Sequence, residues 1–404
     1  MTTYQLCLAV VFWIFLALIL YTYAGYPALI WLLARRFGRP IVPPAEDSTD
    51  LPTVSLLISA YNEQDVIAGR IANALAMDYP PDKLKVVVAC DGCSDHTPHI
   101  VLQHVDRGVR LLNYHERRGK AAVLNSAIAE LPSDIILLSD ANTSIDPTAA
   151  RNLIRWFRDP EIGAVCGRLL LIDPHTGQNV DGSYWKYETF LKRCESRLGA
   201  LLGANGAIYA IRKSRYVPIP EGTIVDDFCI PLLAKLKHGC RIIYDPQATA
   251  REDSAPNIAA EFHRRSRIGA GGFQCLRPLC RLLDPRQGWI AFTFLSHKVL
   301  RWFCPFFLLG LLLSNALLVT LPFYRHALLA QIIAVAVAYV ASFVSWPIPL
   351  LKPLRLLAMF TSMNAALLIG FYGWLRGTQT GVWKRTARSG QAQPVPKPLQ
   401  AQAS

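Results

Sequence analysis

The chain has 404 residues, of which 52% are hydrophobic and only 18% are charged, a balance too apolar for an ordinary soluble protein and too charged for a pure transporter. The length allows one large domain plus further segments. The net charge of +13 suits basic loops beside membrane spans. The middle of the chain has no basic stripe with interleaved aromatic residues, so nucleic-acid binding is not predicted.

The first 40 residues predict an uncleaved membrane anchor. Residues 5–24 carry no charge and are long enough to span a bilayer as a helix. No basic region precedes this segment and it runs on into further apolar residues, which argues against a signal peptide. Three arginines then place the following segment in the cytoplasm by the positive-inside rule: Arg35, Arg36 and Arg39. The polar, proline-rich residues 41–53 predict a linker.

Strand and helix patterns alternate in the middle of the chain, in a predicted domain over residues 54–285. Buried strands are predicted at 54–59, 84–90, 109–114 and 134–140, with helices at 63–77, 95–104, 120–131 and 147–157. This alternation predicts a parallel sheet with helices on both faces and a ligand site at the carboxyl ends of the strands. No Gly-x-Gly-x-x-Gly motif follows the first strand and no P-loop occurs, so a dinucleotide or kinase-type site is not predicted.

Polar side chains follow three of these strands. They are Tyr61, Asn62 and Glu63, then Asp91, and then Asp140 and Asn142. Neighbouring carboxylates repel, and a divalent cation relieves that repulsion. Asp140 with an oxygen of Asn142 therefore predicts a site for Mg²⁺ or Mn²⁺ against a diphosphate. Because Asp and Asn are also common turn residues, a purely structural role of this pair stays equally open.

Two further residues suit a nucleotide ligand. Asp91 could accept hydrogen bonds from a base or a ribose. Lys120 begins a predicted helix, and both its ammonium group and the helix N-terminus favour phosphate. Taken alone, Lys120 also fits an ordinary solvated lysine, so the combination of residues is what indicates a site.

The C-terminal third predicts more membrane helices, in a region of interfacial and transmembrane helices over 286–376. Apolar segments at 303–323, 327–346 and 354–375 each suit a span. An anchor plus three spans would place the basic tail, 377–404, outside the cell, whereas the basic residues of that tail favour the inside. The two indications conflict, and the number of C-terminal spans stays open.

At this point the motifs resemble those of the family-two inverting glycosyltransferases, in particular the bacterial membrane-embedded ones. The matching motifs are "SLLISAYNEQDVI", "VVVACDGCSD", "RRGKAAVLN", "LLSDANT", "GANGAIYAIRKS", "IVDDFCIPL" and "FHRRSRIGAGG", in that order, over residues 54–275. The resemblance implies a GT-A fold, a nucleotide diphosphate donor that is usually UDP, and a divalent metal. It also implies the "GANGAIYAIRKS" segment as the floor under the acceptor.

The resemblance assigns roles residue by residue. Tyr61 and Glu63 would line the nucleotide pocket, and Asp91 would bind the uracil or ribose. Lys120 would lie near the diphosphate, and Asp140 would meet the metal and the donor sugar. Asp227 matches the catalytic base, and a helix is predicted from it to about His238. Asp226 would raise the pKa of Asp227 or orient the acceptor, although two aspartates here also suit an ordinary helix N-cap.

Three motifs depart from the family pattern. The usual Asp-x-Asp reads Asp140-Ala141-Asn142, and the usual Asp-Asp-Gly reads Cys90-Asp91-Gly92. The Gln-x-x-Arg-Trp motif of processive synthases reads Arg264-Arg265-Ser266-Arg267-Ile268, without Gln or Trp. This change favours one sugar per acceptor. Arg264, Arg265 and Arg267 suit either a diphosphate, of UDP or of a lipid, or an amphipathic helix on anionic headgroups.

The sequence therefore predicts a membrane-bound inverting glycosyltransferase of the inner membrane, multi-pass, with a cytoplasmic catalytic domain. Its acceptor would be lipid-linked or a glycan, in polysaccharide or glycolipid synthesis. Residues 381–388, "GVWKRTAR", resemble a tail element near such active sites and favour a cytoplasmic tail. The alternatives are an inactive scaffold, against which Asp227 and Lys120 argue, and a transporter, against which the nearly uncharged spans argue.

Overall fold

The computed structural model of the chain describes residues 1–44, 51–174, 176–179, 182–255, 257–341, 352–379 and 381. Its strands are β1 (Val54–Ala60), β2 (Leu84–Asp91), β3 (Val109–Tyr114), β4 (Ile135–Asp140), β5 (Ser144–Ile145), β6 (Ile162–Ile172), β7 (Tyr209–Arg212) and β8 (Arg241–Asp253). Its α-helices are α1 (Thr3–Leu20), α2 (Tyr26–Phe37), α3 (Ile67–Leu75), α4 (Thr97–Leu102), α5 (Lys120–Glu130), α6 (Ala149–Ile154), α7 (Ser183–Arg197), α8 (Asp226–His238), α9 (Ile258–Leu279), α10 (Trp289–Thr293), α11 (Leu300–Leu317), α12 (Pro322–Ala341) and α13 (Lys352–Leu375).

The strands form one mixed sheet in the order β3-β2-β1-β4-β7-β6-β8-β5. The β3-β2-β1-β4 half is parallel, as the alternation of strands and helices predicts, and β6 is parallel to β8. The pairs β4-β7, β6-β7 and β5-β8 are antiparallel. Two helix layers cover the sheet, because a strand such as β1, which is buried along its whole length, needs apolar partners on both faces.

The predicted elements of the first half are confirmed with small shifts at their ends. Each of the four predicted strands matches an observed strand to within one residue at either end. The helix predicted over 63–77 begins only at Ile67, because residues 64–66 form a turn closed by hydrogen bonds to the carbonyl oxygen of Glu63. The helix predicted to end at Phe157 tightens into a 3₁₀ turn over Arg155–Arg158.

The register of the parallel strands brings their carboxyl ends to one level. Ser59 of β1 lies opposite Asp140 of β4, and Ala60 lies opposite Cys90 of β2. The polar residues that follow β1, β2 and β4 therefore leave the sheet at the same edge. This is the edge at which parallel sheets bind ligands.

The N-terminal helix has a long apolar part and a part that packs into the core of the sheet domain. It runs from Thr3 to Phe37 with one π-helical turn at Tyr21–Gly25. In α2 the side chains of Tyr26, Ile30 and Ala34 are fully buried in the larger of the two cores of the sheet domain. The Tyr26 hydroxyl also donates a 2.7 Å hydrogen bond to Oε1 of Glu195 on α7.

Four helices in the described part of the chain are long and apolar enough to cross a membrane: Thr3–Phe37, Trp289–Leu317, Pro322–Ala341 and Pro353–Leu375. They overlap the four predicted spans, with shifted ends. The second begins 14 residues before the predicted position 303, because α10 and a π-helical turn continue directly into α11, and it ends at Leu317 instead of 323. The third begins at Pro322 instead of 327. Residues 342–346 of the predicted third span, and the tail beyond 381, lie outside the described residues. The predicted domain limits stay predictions.

Candidate active site

A cleft of about 410 Å³ opens at the carboxyl edge of the sheet. Its sheet-side wall comes from the end of β4, the start of α5, the start of α8 and the segment before β7. Its other wall comes from α7, α9, α11 and α13. Of the predicted site residues, nine line it: Glu63, Lys120, Asp140, Asn142, Asp226, Asp227, Arg264, Arg265 and Arg267.

Lys120 binds two carboxylates at the centre of the cleft. Its Nζ lies 2.7 Å from Oδ1 of Asp140 and 3.3 Å from Oδ2 of Asp226. Burial opposes the charge of the ammonium group, but Asp140 and Asp226 outweigh burial and raise the pKa of Lys120 above its ordinary value. Lys120 is therefore charged at neutral pH and is not the solvated lysine that its sequence context alone also allowed.

Asp227 shares a small space with Asp140 above Gly206. A Cβ added to Gly206 would lie 3.0 Å from Oδ2 of Asp140 and 3.7 Å from Oδ2 of Asp227. A side chain at Gly206 would therefore crowd the carboxylate of Asp140 and come into ordinary contact with that of Asp227. The predicted acceptor floor contributes this glycine, and Ala204 to Ala207 all line the cleft.

The charge environment of Asp227 suits a proton acceptor. Burial, followed by the charge of Asp226, raises the pKa of Asp227 to about 6, against the opposing charge of Lys120. Oδ1 of Asp227 accepts a 2.9 Å hydrogen bond from the backbone N–H of Phe228. The N-cap of α8 is Val225, and neither aspartate side chain caps the helix. The structure thus gives no support to the helix-cap alternative for this pair.

A fourth carboxylate, Glu252 of β8, belongs to the site although the sequence analysis did not include it. Its Oε1 accepts a 2.7 Å hydrogen bond from the hydroxyl of Thr143. Burial and the charge of Asp140 raise the pKa of Glu252 to about 7. The signal that could have found it is its place in the acidic Glu252-Asp253 pair at the end of a strand, the feature that pointed to Asp140.

Asn142 lies in the turn after β4, is exposed, and lines the cleft. Among the described residues, no group of three or more His, Cys, Asp or Glu side chains is arranged to hold a metal ion. Asp140 and Asn142 alone supply few ligands. A divalent ion at this point would therefore take its remaining ligands from substrate oxygens and water.

Asp91 holds the loop that precedes α5 in place. It is buried, and its Oδ1 and Oδ2 accept hydrogen bonds of 2.7 and 2.9 Å from the backbone N–H groups of Arg118 and Gly119. These bonds fix the loop that leads into α5 and so position Lys120. Gly92 is required beside it, because its φ is +62° and a Cβ there would lie 2.7 Å from the backbone nitrogen of Arg117. Contact of Asp91 with a base or ribose stays a prediction.

Tyr61 and Glu63 lie at different depths. The guanidinium carbon of Arg117 lies 3.7 Å from the centre of the Tyr61 ring, and Tyr61 does not line the cleft around Asp140. Glu63 lines the cleft and is buried, and its backbone N–H donates a 2.8 Å hydrogen bond to the hydroxyl of Thr97. Of the two, Glu63 is the one that can reach a ligand lying against Asp140.

Arg264, Arg265 and Arg267 of α9 line the cleft. Arg264 and Arg265 each bond Glu261, with Nε to carboxylate distances of 3.1 and 2.7 Å. Arg267 also lines the cleft, and no ion pair joins it to another described residue. The structure thus places all three side chains where they can meet an anionic ligand, one of the two alternatives that the sequence left open.

Helices that are long and apolar enough to cross a membrane complete the wall opposite the sheet. Lys298, Arg301 and Trp302 line the cleft just before or within α11. Arg301 pairs with Glu188 of α7, which is itself buried. The sequence analysis did not predict a role for these residues. The available signal was a cluster of basic side chains immediately before an apolar segment.

Two family models match the chain. The model described as glycosyl transferase family 2 matches residues 55–214, and the model described as glycosyl transferase family group 2 matches residues 135–367. The second match covers more than half of the chain. Both include Asp140, and the second also includes Asp227 and the three arginines of α9.

Among curated proteins, the chain is similar to the poly-beta-1,6-N-acetyl-D-glucosamine synthase of Staphylococcus aureus, with 27% identity over 234 residues. That match covers 56% of this chain and 56% of the relative. The synthase of the same name from Staphylococcus epidermidis is 24% identical over 264 residues, which are 64% of this chain and 63% of the relative. The chain thus matches less than two thirds of the length of these curated relatives.

Among solved structures, the fold is similar to that of a mannosyltransferase from Pyrobaculum calidifontis in complex with GDP-Man and Mn²⁺. The TM-score is 0.70 at 25% sequence identity, and the match covers 90% of this chain and 99% of that one. The expected GT-A architecture, with its mixed α/β sheet, is thereby confirmed.

Proposed function

Because the chain belongs to glycosyl transferase family group 2, we propose that it is a membrane-bound inverting glycosyltransferase of polysaccharide or glycolipid synthesis. It takes a sugar from a nucleotide diphosphate, with UDP as the proposed nucleotide. It passes the sugar to a lipid-linked or glycan acceptor and adds one sugar to each acceptor. The observation that carries the proposal is the space above Gly206, where the carboxylates of Asp140 and Asp227 meet.

Asp227 is the proposed general base. In an inverting transfer the acceptor hydroxyl attacks the anomeric carbon while the bond from that carbon to the diphosphate breaks. The hydroxyl proton passes to a carboxylate, and the nucleotide diphosphate leaves. A carboxylate with a pKa of about 6 is ionised at neutral pH and is more basic than an ordinary aspartate. Asp226 supports this role because its charge helps to raise the pKa of Asp227.

Lys120 and Asp140 are the proposed binding residues for the donor diphosphate and sugar. Lys120 begins α5, so its charge and the N-terminal backbone of the helix act together on a phosphate group. Asp91 supports the position of Lys120 through the preceding loop. Tyr61, Glu63 and Asp91 remain the proposed neighbours of the nucleotide.

The residues fit a divalent cation. Lys120 occupies Oδ1 of Asp140, whereas Oδ2 faces the space above Gly206 that a Cβ would fill. Lys120 pairs with Asp140 and Asp226, whereas no salt bridge joins Asp227 or Glu252, which also line the cleft, to another described residue, and this favours added positive charge. Asp140 and Asn142 would hold Mg²⁺ or Mn²⁺ there, and the ion would neutralise charge on the departing diphosphate.

Three features support a location at the cytoplasmic face of the inner membrane. Four helices suit membrane spans, α2 carries Arg35 and Arg36 in its last turn, and the cleft is walled partly by α11 and α13. An acceptor embedded in the bilayer can therefore reach the cleft from the side. The non-processive character rests on Ile268, which stands where a processive synthase has Trp.

The test uses membranes containing the full chain and a panel of labelled nucleotide sugars, followed by lipid extraction. A labelled lipid or glycan product, together with released nucleotide, supports transfer and identifies the donor. If purified protein supplied with membrane lipids released no nucleotide from any donor in the panel, the inactive-scaffold alternative would stand instead.

A further inference from the structure

Helix α3 carries a charged residue on its buried face. Four residues at helical spacing form this face, and all of them are buried: Ile67, Arg70, Ile71 and Ala74. The three apolar ones pack into the smaller core of the sheet domain. Arg70 is only 3% exposed, which is rare for an arginine. A charged residue on an otherwise apolar face indicates a task other than packing.

The burial of Arg70 costs stability. Burial lowers its pKa to about 10, against the opposing charge of Asp140, so the guanidinium group is charged at neutral pH but poorly solvated. Its Nη2 finds no protein acceptor within the part of the chain that the structure describes. Replacing buried ionic groups with apolar ones of similar volume is often neutral or stabilising. Stability therefore does not explain why an arginine stands at this position.

The contacts that Arg70 makes lie behind the end of β4. Its Nε donates a 3.4 Å hydrogen bond to the backbone carbonyl oxygen of Asp140. Its Nη1 donates a 3.1 Å hydrogen bond to Oδ1 of Asn73, which lies one helical turn further along α3. Neither Arg70 nor Asn73 lines the cleft, so both reach this region from outside it.

Asn73 holds the other end of the same segment. Its Oδ1 accepts a 2.9 Å hydrogen bond from the backbone N–H of Ile145, and its Nδ2 donates a 2.8 Å bond to the carbonyl oxygen of Ile145. Residues three apart on a helix share one face, which is why Arg70 and Asn73 can also bond each other. Together the two side chains form a clamp, the α3 clamp, across residues 140–145.

Residues 140–145 carry groups that the proposed function needs. Asp140 and Asn142 line the cleft. The hydroxyl of Thr143 donates a 2.7 Å hydrogen bond to Oε1 of Glu252, which also lines the cleft. The only strand within the segment after β4 is β5, which has two residues. The shape of the segment therefore depends strongly on side-chain bonds, and the α3 clamp supplies bonds at both of its ends.

We propose that Arg70 and Asn73 are positioning residues for residues 140–145. By fixing both ends of this segment, they set the place of Asp140 and Asn142 against the donor and its cation. This inference rests on the proposed function and adds to it two residues that touch neither substrate nor cation. Displacement of a binding group by about 1 Å is enough to slow a reaction strongly, which gives the clamp its value.

The first measurement separates catalysis from stability in the detergent-purified full chain. Arg70→Met removes both hydrogen bonds and keeps a long side chain. It should slow nucleotide release about tenfold. The melting temperature should stay within about 2 °C or rise, because no acceptor loses its last donor. The carbonyl oxygen of Asp140 still accepts from the N–H of Thr143, and Oδ1 of Asn73 still accepts from the N–H of Ile145.

Arg155→Met is the matched control, because Arg155 is also a buried arginine that does not line the cleft. Its Nη2 lies 2.9 Å from Oδ2 of the buried Asp245. Loss of this partner should lower the melting temperature by about 5 °C or more and leave the rate per folded molecule unchanged. The two buried arginines should thus give opposite results.

The second measurement tests whether the clamp acts as one unit. Asn73→Ala should also slow nucleotide release about tenfold, and the double variant with Arg70→Met should be at most about twofold slower than either single variant. Asn73→Ala leaves the charge of the protein unchanged, so its effect on a cation reports geometry alone. Binding of Mn²⁺ in the presence of UDP, followed by electron paramagnetic resonance, should weaken about threefold or more.

Specific results would overturn the inference. A full rate in Arg70→Met would remove Arg70 from the positioning of the site, and a fall in its melting temperature like that of Arg155→Met would make it a structural residue. Losses that multiply in the double variant would show that Arg70 and Asn73 act separately. Unchanged binding of Mn²⁺ to Asn73→Ala would contradict the hold on the segment. Failure of the proposed function itself would instead appear in the unmodified chain, which would release no nucleotide from any donor.

Discussion

The ionised carboxylate of Asp227 is expected to lower the free energy of unfolding of the protein. Burial and the charge of Asp226 raise its pKa from the ordinary value of 3.8 to about 6. As the pH rises through this window the unfolded chain loses the proton first, so the free energy of unfolding falls and remains lower at higher pH. At 1.36 kcal/mol for each pKa unit, this difference is worth about 3 kcal/mol.

Asp227→Asn should therefore separate stability from activity. The neutral amide removes the buried charge, so the free energy of unfolding should rise by up to about 3 kcal/mol at pH values above the pKa of about 6. The gain should shrink as the pH falls below that value. Transfer should slow by about 10²–10⁴-fold, because the amide cannot accept the proton of the acceptor hydroxyl.

The assay combines thermal melting of the detergent-purified chain at several pH values with initial rates of nucleotide release in the presence of membrane lipids. Asp82→Asn is the matched control, since Asp82 is exposed in the turn before β2 and both measurements should stay unchanged. Full activity in Asp227→Asn would refute the assignment of the base. A melting temperature lowered at high pH and unchanged at low pH would refute the electrostatic reasoning.

Three other substitutions test neighbouring parts of the site. Asp226→Asn should lower the pKa of Asp227 and move the acid limb of the rate–pH profile to lower pH; a limb that stays in place would contradict the coupling. Gly206→Ala puts a methyl group 3.0 Å from a carboxylate oxygen of Asp140 and should reduce kcat roughly tenfold with unchanged melting, whereas a fully active variant would show that the space is not used. Asp91→Asn weakens the two hydrogen bonds that hold the loop before α5, so it should raise the KM for the donor more than it lowers kcat, and steady-state kinetics would detect the reverse.

The first half of the sheet was predictable because its signals are local. The apolar runs that become β1 to β4 are continuous, and the residues after each run are small or polar, so the ends of these strands follow from the sequence alone. Parallel pairing then brings Asp140 to the edge shared with the end of β1 without any knowledge of tertiary contacts. Lys120 was predicted from its place at the start of a helix, and the structure brings its Nζ to Asp140, whereas its contact with a phosphate stays a prediction.

The second half of the site was not predictable because it depends on distant contacts. β7 has only four residues and pairs antiparallel with both β4 and β6. No local periodicity in the sequence predicts this pairing. Glu252 reaches the site only because β8 pairs with β5 beyond Asp140. Lys298 and Trp302 meet the cleft because α11 packs on α9, a contact that the sequence of neither helix indicates.

The burial of Tyr26, Ile30 and Ala34 has a practical consequence for anyone who wishes to study the enzyme in aqueous solution. Trimming the chain after the first long apolar helix would strip a row of side chains from the interior of the sheet domain and leave Glu195 without its phenol partner. Each large apolar group lost in this way destabilises a domain by about 2–5 kcal/mol. A water-soluble fragment should therefore keep α2 and carry new polar residues only on the face of that helix that points away from the domain.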